Sequence, residues 1–212
     1  MPAAGEADFL RSRARESTVP KAKSKPLPGP SALNEGFQLL ALNIRRLLSD
    51  SVRRSIVVLS AGPREGRSTT AAGLANAMSL IMAPVVLIDA DPDGSGLTGL
   101  VSDSTKEIGD GLVESRLRLQ VLSPGFREGT SGTFLDIVQD AVQDALDAGA
   151  TVIIDAPACL TSSAAFYLAS AATGVLYVTR RGSTQDSNVH ADIGAQLDLL
   201  GARVLGVVVN EG

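Results

Sequence analysis

Ser60-Ala61-Gly62-Pro63-Arg64-Glu65-Gly66-Arg67-Ser68-Thr69-Thr70 is the stretch that decides how this chain folds. Apolar Ile56-Val57-Val58-Leu59 leads into it, and Ala71-Ala72-Gly73-Leu74-Ala75-Asn76-Ala77-Met78 leads out. The order is strand, glycine-bearing loop, helix, the context in which a phosphate-binding loop has physical meaning. Loop N–H groups and the positive end of the following helix would form an anion cradle. Gly62, Pro63, Arg64, Glu65, Gly66, Arg67, Ser68 and Thr69 are its expected residues, with the Ser68 hydroxyl placed for Mg²⁺. Arg67 stands where a lysine is usual beside the phosphates.

Outward from the loop, apolar runs alternate with helical patterns. Ser31 can cap a helix to about Leu48, with Leu33, Phe37, Leu40, Ile44, Leu47 and Leu48 forming one apolar stripe. Strands are expected at Ile56–Ser60, Val85–Asp89, Leu119–Leu122, Thr151–Asp155, Val175–Thr179 and Val204–Val209. Helices are expected at Ser68–Met82, Thr133–Ala148, Ser163–Ala172 and Asp186–Leu200, and a polar loop of about twenty residues follows Asp91. β-Branched and leucine-rich strands between helices indicate a doubly wound α/β fold, its parallel sheet covered on both faces.

Open parallel sheets bind ligands at the carboxyl ends of their strands. Asp89 and Asp91 follow one apolar run here, and Asp155 follows another. A carboxylate at such a place is costly to keep charged unless a cation or hydrogen bonds compensate. Mg²⁺ arriving with nucleotide phosphate is one such compensation, since it needs only one or two carboxylates. A single strand-end Asp is commonly a turn or cap residue, and one Gly-x-Ser loop says little. The three pieces in order make phosphate with Mg²⁺ the expected ligand.

The 212 residues, 44% apolar, suit one domain, taken as 31–212 with a leading helix at 31–50, behind a Pro-rich leader at 1–30. That leader holds six basic and three acidic residues, so the remainder carries −7 of the formal −4 total. Disorder is the expected state of the leader, and an acidic domain argues against a nucleic-acid partner. The single cysteine, Cys159, excludes an internal disulfide framework and fits a reducing compartment. With neither an apolar span nor a secretory segment in view, a cytoplasmic protein is expected, peripheral at the inner face of the membrane only through a partner.

The combination resembles the bacterial tyrosine kinases of polysaccharide synthesis and export, the CpsD/CapB/Wzc-type cytoplasmic domain grouped with ParA and MinD ATPases among P-loop proteins. The family loop S-x-x-P-G-E-G-K-S-T is followed from Ser60 to Thr69 apart from Arg64 and Arg67. The D-x-D motif matches Asp89-Ala90-Asp91, the D-x-P-P motif matches Asp155-Ala156-Pro157-Ala158, and Gly201 to Asn210 is similar throughout. The resemblance implies ATP (or ADP) and Mg²⁺ as cofactors. It implies metal ligation by Ser68, Asp89 and Asp155, catalytic roles for Asp89, Asp91 and the residue at Arg67, and base reading by Asn210. It also implies a membrane adaptor of the polysaccharide co-polymerase type as partner, and a homo-oligomer.

The departures point one way. Arginine is not a neutral exchange for lysine at a crowded phosphate site, and no lysine lies between Lys25 and Lys106 to replace it. Arg64 stands for a glycine, which strains the loop if that position needs an unusual backbone angle. Gln38 and Ala41 occupy the positions of two arginines that the family uses between subunits, so a weakened oligomer is expected. Ser163 stands where Asp is usual. No tyrosine cluster is present, and Tyr167 and Tyr177 are expected to be core or half-buried, Cys159 a packing residue and His190 exposed. Two functions stay open: an active tyrosine kinase or ATPase, and a nucleotide-binding regulator of exopolysaccharide or capsule export with little catalysis. The departures favour the regulator. A ParA- or MinD-like positioning ATPase is a third reading, opposed by Ala61 and Gly62 where those proteins carry an early loop lysine.

Overall fold

The computed structural model describes residues 30–82, 84–91, 97, 119–122, 133–182 and 187–211. Helix α1 (Pro30–Leu47) precedes strand β1 (Arg54–Ser60), and α2 (Arg67–Ile81) precedes β2 (Val85–Asp89). Next come β3 (Leu119–Leu122), α3 (Phe134–Asp147), β4 (Thr151–Asp155) and α4 (Ala164–Ala171). Strand β5 (Gly174–Arg180), helix α5 (Ser187–Leu199) and β6 (Val204–Asn210) complete the described elements. The six strands form one sheet in the order β3-β2-β4-β1-β5-β6, every neighbouring pair parallel.

Period-two alternation along the strands splits the core between the two faces of the sheet. Val57 and Leu59 of β1 join Val138, Leu168 and Ile193 from α3, α4 and α5. Ile56 and Val58 point the other way, toward Ile44 of α1 and Leu74 and Met78 of α2. The outer helix α1 reaches α2 through Phe37, whose ring lies where a Cβ on Gly73 would fall, at 2.3–2.5 Å. Glycine at 73 is what lets the two helices approach this closely.

Five sequence expectations change. Leu47, placed on the apolar stripe, is 44% exposed, and Ala41 is fully buried in its stead. The polar loop after Asp91 includes Leu97, which is helical and buried in the α1–α2 side of the core. Coverage of both faces stops at β6, an edge strand with Val207 and Val209 exposed. Tyr167 is 44% exposed, so it is not core, whereas Tyr177 is buried as expected. Of the expected leader at 1–30, residues 1–29 lie outside the described residues, and Pro30 is instead the first residue of α1.

Candidate nucleotide site

Strand register assembles the site. Asp89 and Asp155 are direct partners across β2 and β4, and Val58 of β1 pairs with Asp155. The carboxyl end of β1 therefore lies beside Asp155, with Asp89 one strand further along the sheet, and the loop from Ser60 leads into α2. Gly66 precedes α2 at φ +92, and the helix has no side-chain cap there. The first N–H groups of α2 are thus available to an anion, which the helix dipole favours. A Cβ on Gly66 would come within 2.1 Å of Asn210 Nδ2, which donates to Glu65 O at 3.3 Å. The end of β6 thereby holds the loop from outside. Arg64 takes φ +64, the unusual backbone angle anticipated at this position.

Arg67 lies across the acidic strand ends. It is 8% exposed, with Nε donating to Asp155 Oδ1 at 3.0 Å and Nη1 to Ser60 Oγ at 3.1 Å. Its Nη2 donates to Asp91 Oδ2, completing ion pairs to two carboxylates. Three of the five guanidinium donors are thereby committed to the protein. Asp155 also has a side-chain hydrogen bond with Ser68. Asp89 Oδ1 accepts from the Asp91 N–H at 3.2 Å.

Burial dominates the carboxylates. Desolvation raises Asp89 to about 6, against the Asp91 N–H bond that lowers it. Desolvation likewise raises Asp155, with the Arg67 charge opposing it. In the loop, Glu65 is 4% exposed, its Oε1 accepting from the Gly62 N–H at 3.1 Å. Its Oε2 has no hydrogen-bond partner among the described residues. Glu65 thereby takes the Gly62 N–H within the chain.

The structure thus brings together Gly62, Glu65, Gly66, Arg67, Ser68, Asp89, Asp91, Asp155 and Asn210. Pro63 and Arg64 lie on the exposed outside of the loop. Sequence reasoning missed Ser60, whose hydroxyl donates to Gly62 O at 2.8 Å and receives Arg67. Its position at the last residue of an apolar strand was the available signal. His190 was expected to be exposed, yet it is half-buried, with Nδ1 2.8 Å from the Tyr177 hydroxyl. Cys159 is buried as expected, and desolvation pushes its thiol up to about 11.

A parallel sheet with a glycine loop entering a helix beside acidic strand ends defines a P-loop nucleoside-triphosphatase fold. Solved structures agree. The kinase domain of Escherichia coli tyrosine kinase ETK superposes with TM-score 0.68, at 17% identity over 96% of this chain and 86% of its own. The MinD cell division protein of Aquifex aeolicus does so at 0.52, with 20% identity over 75% and 69%. No family model matches the chain. Among curated proteins, it is 28% identical to succinoglycan biosynthesis transport protein ExoP of Rhizobium meliloti (strain 1021) over 198 residues. That match covers 85% of this chain and 25% of ExoP, so the chain spans about a quarter of that relative. Tyrosine-protein kinase YwqD of Bacillus subtilis (strain 168) is 27% identical over 196 residues, covering 85% of this chain and 82% of YwqD. The chain is thus similar in sequence to ExoP and YwqD and shares its fold with the ETK kinase domain and MinD.

Proposed function

We propose that this protein binds ATP or ADP at the Ser60–Thr70 loop and regulates exopolysaccharide or capsule export, with catalysis weak or lost. The observation that carries the reading is the position of Arg67. Phosphoryl transfer asks mainly for positive charge on the transferring phosphate and for in-line positioning. Here the residue at the lysine position has turned its donors to Ser60, Asp91 and Asp155. Loss of one preorganised charge contact costs about 10²–10³ in rate.

Support for phosphate at the cradle comes from the start of α2, which has no side-chain cap. Asn210, held against the loop, is the proposed contact for the base. Ser68, Asp89 and Asp155 would be the ligands of the magnesium that the resemblance implies. With Arg67 paired to Asp91 and Asp155, that donor set does not fit a divalent ion, and no step is derived through one. As partner we propose a membrane adaptor of the polysaccharide co-polymerase type, which would keep the domain peripheral at the inner face of the membrane. No helix among the described residues is long and apolar enough to cross a membrane. Self-association is proposed to be weaker than in the family, because Ala41 is buried within the domain and offers nothing to a second subunit.

The test is purified protein with ATP, measuring nucleotide binding, hydrolysis and phosphotyrosine beside Arg67→Lys. The reading expects binding by both proteins and turnover at least about tenfold faster in Arg67→Lys. Equal turnover would instead favour the active tyrosine kinase or ATPase. That second reading draws support from the Ser68–Asp155 hydrogen bond, which places the hydroxyl beside the acidic strand ends.

A further inference from the structure

We propose that the Arg67 guanidinium is the resident cation of this site and takes the place of a divalent metal between Asp91 and Asp155. The geometry asks for a planar, forked cation. Nε reaches Asp155, Nη2 reaches Asp91, and Nη1 reaches Ser60 Oγ from the same group. A lysine ammonium is a compact point charge on a flexible stem, whereas arginine presents fixed donors to several acceptors at once. The exchange at position 67 therefore changes where the positive charge rests as well as its shape.

A divalent ion faces two unfavourable routes into this arrangement. If it displaces Arg67 from Asp155 and Asp91, it leaves a guanidinium only 8% exposed without its ionic partners. Unpairing a buried charge is strongly unfavourable. If it enters beside Arg67, two like-charged groups share one small, poorly solvated space, where repulsion is amplified. Asp155 Oδ1 also already accepts from Arg67 Nε. Asp91 and Asp155 already share one positive charge supplied from within the chain.

Nucleoside di- or triphosphate binding should then proceed without magnesium, held by loop amides and the start of α2. That corollary rests on the function proposed above, whereas the exclusion of metal stands on the apo protein alone.

Two titrations on the full chain separate them. In the first, free Mn²⁺ is followed by electron paramagnetic resonance without nucleotide. Wild type should take up no more Mn²⁺ than Asp155→Asn, while Arg67→Gln should gain one ion that Arg67→Gln/Asp155→Asn loses. Uptake by wild type that a folded Asp155→Asn, checked by circular dichroism, abolishes overturns the proposal. Absence of uptake by a folded Arg67→Gln, checked by circular dichroism, overturns it as well, since no metal position would then exist to be filled. Arg67→Lys serves if the glutamine variant is unfolded, with the same two outcomes.

In the second, fluorescent ADP and ATP analogues are titrated in EDTA and in Mg²⁺. Wild-type affinity should agree within about threefold between the buffers, and that of Arg67→Lys should rise at least about tenfold with Mg²⁺. A tenfold rise in wild type overturns the inference. Failure of wild type to bind in either buffer removes the nucleotide function, while the Mn²⁺ titration still decides the metal exclusion.

Discussion

The loop and the strand ends beneath it lie side by side and are built differently. The loop at Ser60–Gly66 is backbone work: N–H groups, one glycine at φ +92, and a helix start without a cap. The strand ends are side-chain work, three carboxylates and one guanidinium at Asp89, Asp91, Asp155 and Arg67. Two exchanges against the family pattern, at positions 64 and 67, leave the loop's path intact because a non-glycine can occupy the left-handed region at moderate cost. One of the two, Arg67, sets the charge pattern at the strand ends, since each charge there has few partners. Backbone-made binding tolerates divergence that side-chain-made chemistry does not.

Breaking the charged half should have the larger effect. Asp155 is 1% exposed and pairs with a nearly buried arginine. Asp155→Ala leaves that arginine without one of its two carboxylates, and we expect a loss of about 3–5 kcal/mol in urea unfolding. A loss below about 1 kcal/mol would mean that the pair is solvated like a surface salt bridge.

Breaking the backbone half comes next. Gly66→Ala puts a Cβ at φ +92, 2.1 Å from Asn210 Nδ2. The strain should cost about 1–3 kcal/mol, with nucleotide affinity falling more than stability alone predicts. Asn210→Ala makes room for the methyl group, so Gly66→Ala/Asn210→Ala should recover part of the stability if the clash, rather than φ alone, is the cause. The thermal midpoints of the three variants decide this.

The contrast between the two halves also explains what the sequence could reveal. Strand and helix order was legible because β-branched runs and helical stripes are local patterns, and Leu119–Leu122 fell where it was expected. The pairing of Asp89 with Asp155 was only implicit, because register depends on which strands become neighbours. The bridge from Arg67 to Ser60 was invisible: both residues were in view, but a side chain's direction depends on tertiary packing. His190 was misplaced for a similar reason. Its helix looks solvent-facing until Tyr177 on β5 arrives beside it. Leu47 lost its place to Ala41 because an apolar stripe drifts along a helix, and a small residue permits the closest approach to α2.

Asp89 sharpens the comparison through pH. Its carboxyl is raised from 3.8 to about 6, mainly by desolvation. The folded state thus holds this proton more tightly than the unfolded chain does. Ionised Asp89 therefore costs nothing below the unfolded value, costs increasingly as pH rises from 3.8, and its full cost is present above about 6. Asp89→Asn should be more stable than wild type at pH 7, on the order of 1 kcal/mol after allowance for solvent at the site. The advantage should shrink toward zero near pH 4. An advantage that does not change with pH would mean that packing, and not the charge, sets it.

The smallest expected effect tests whether the loop's path really carries its own strain. Arg64 is exposed and held at φ +64, where an L-residue pays roughly 1–2 kcal/mol. Arg64→Gly removes that cost but gives the unfolded chain more freedom, worth about 0.5–1 kcal/mol. The two oppose each other, so the net should be a gain of about 1 kcal/mol or less. Arg64→Ala separates them, because alanine stays strained and lacks glycine's freedom. It should be no more stable than wild type while Arg64→Gly is slightly better. If both variants match wild type in urea unfolding, the left-handed turn costs nothing measurable. In that case tolerance of divergence in the loop comes from its being effectively unstrained. If glycine alone gains, the loop holds its phosphate-ready path against a local penalty, and contacts such as Asn210 to Glu65 O are what maintain it.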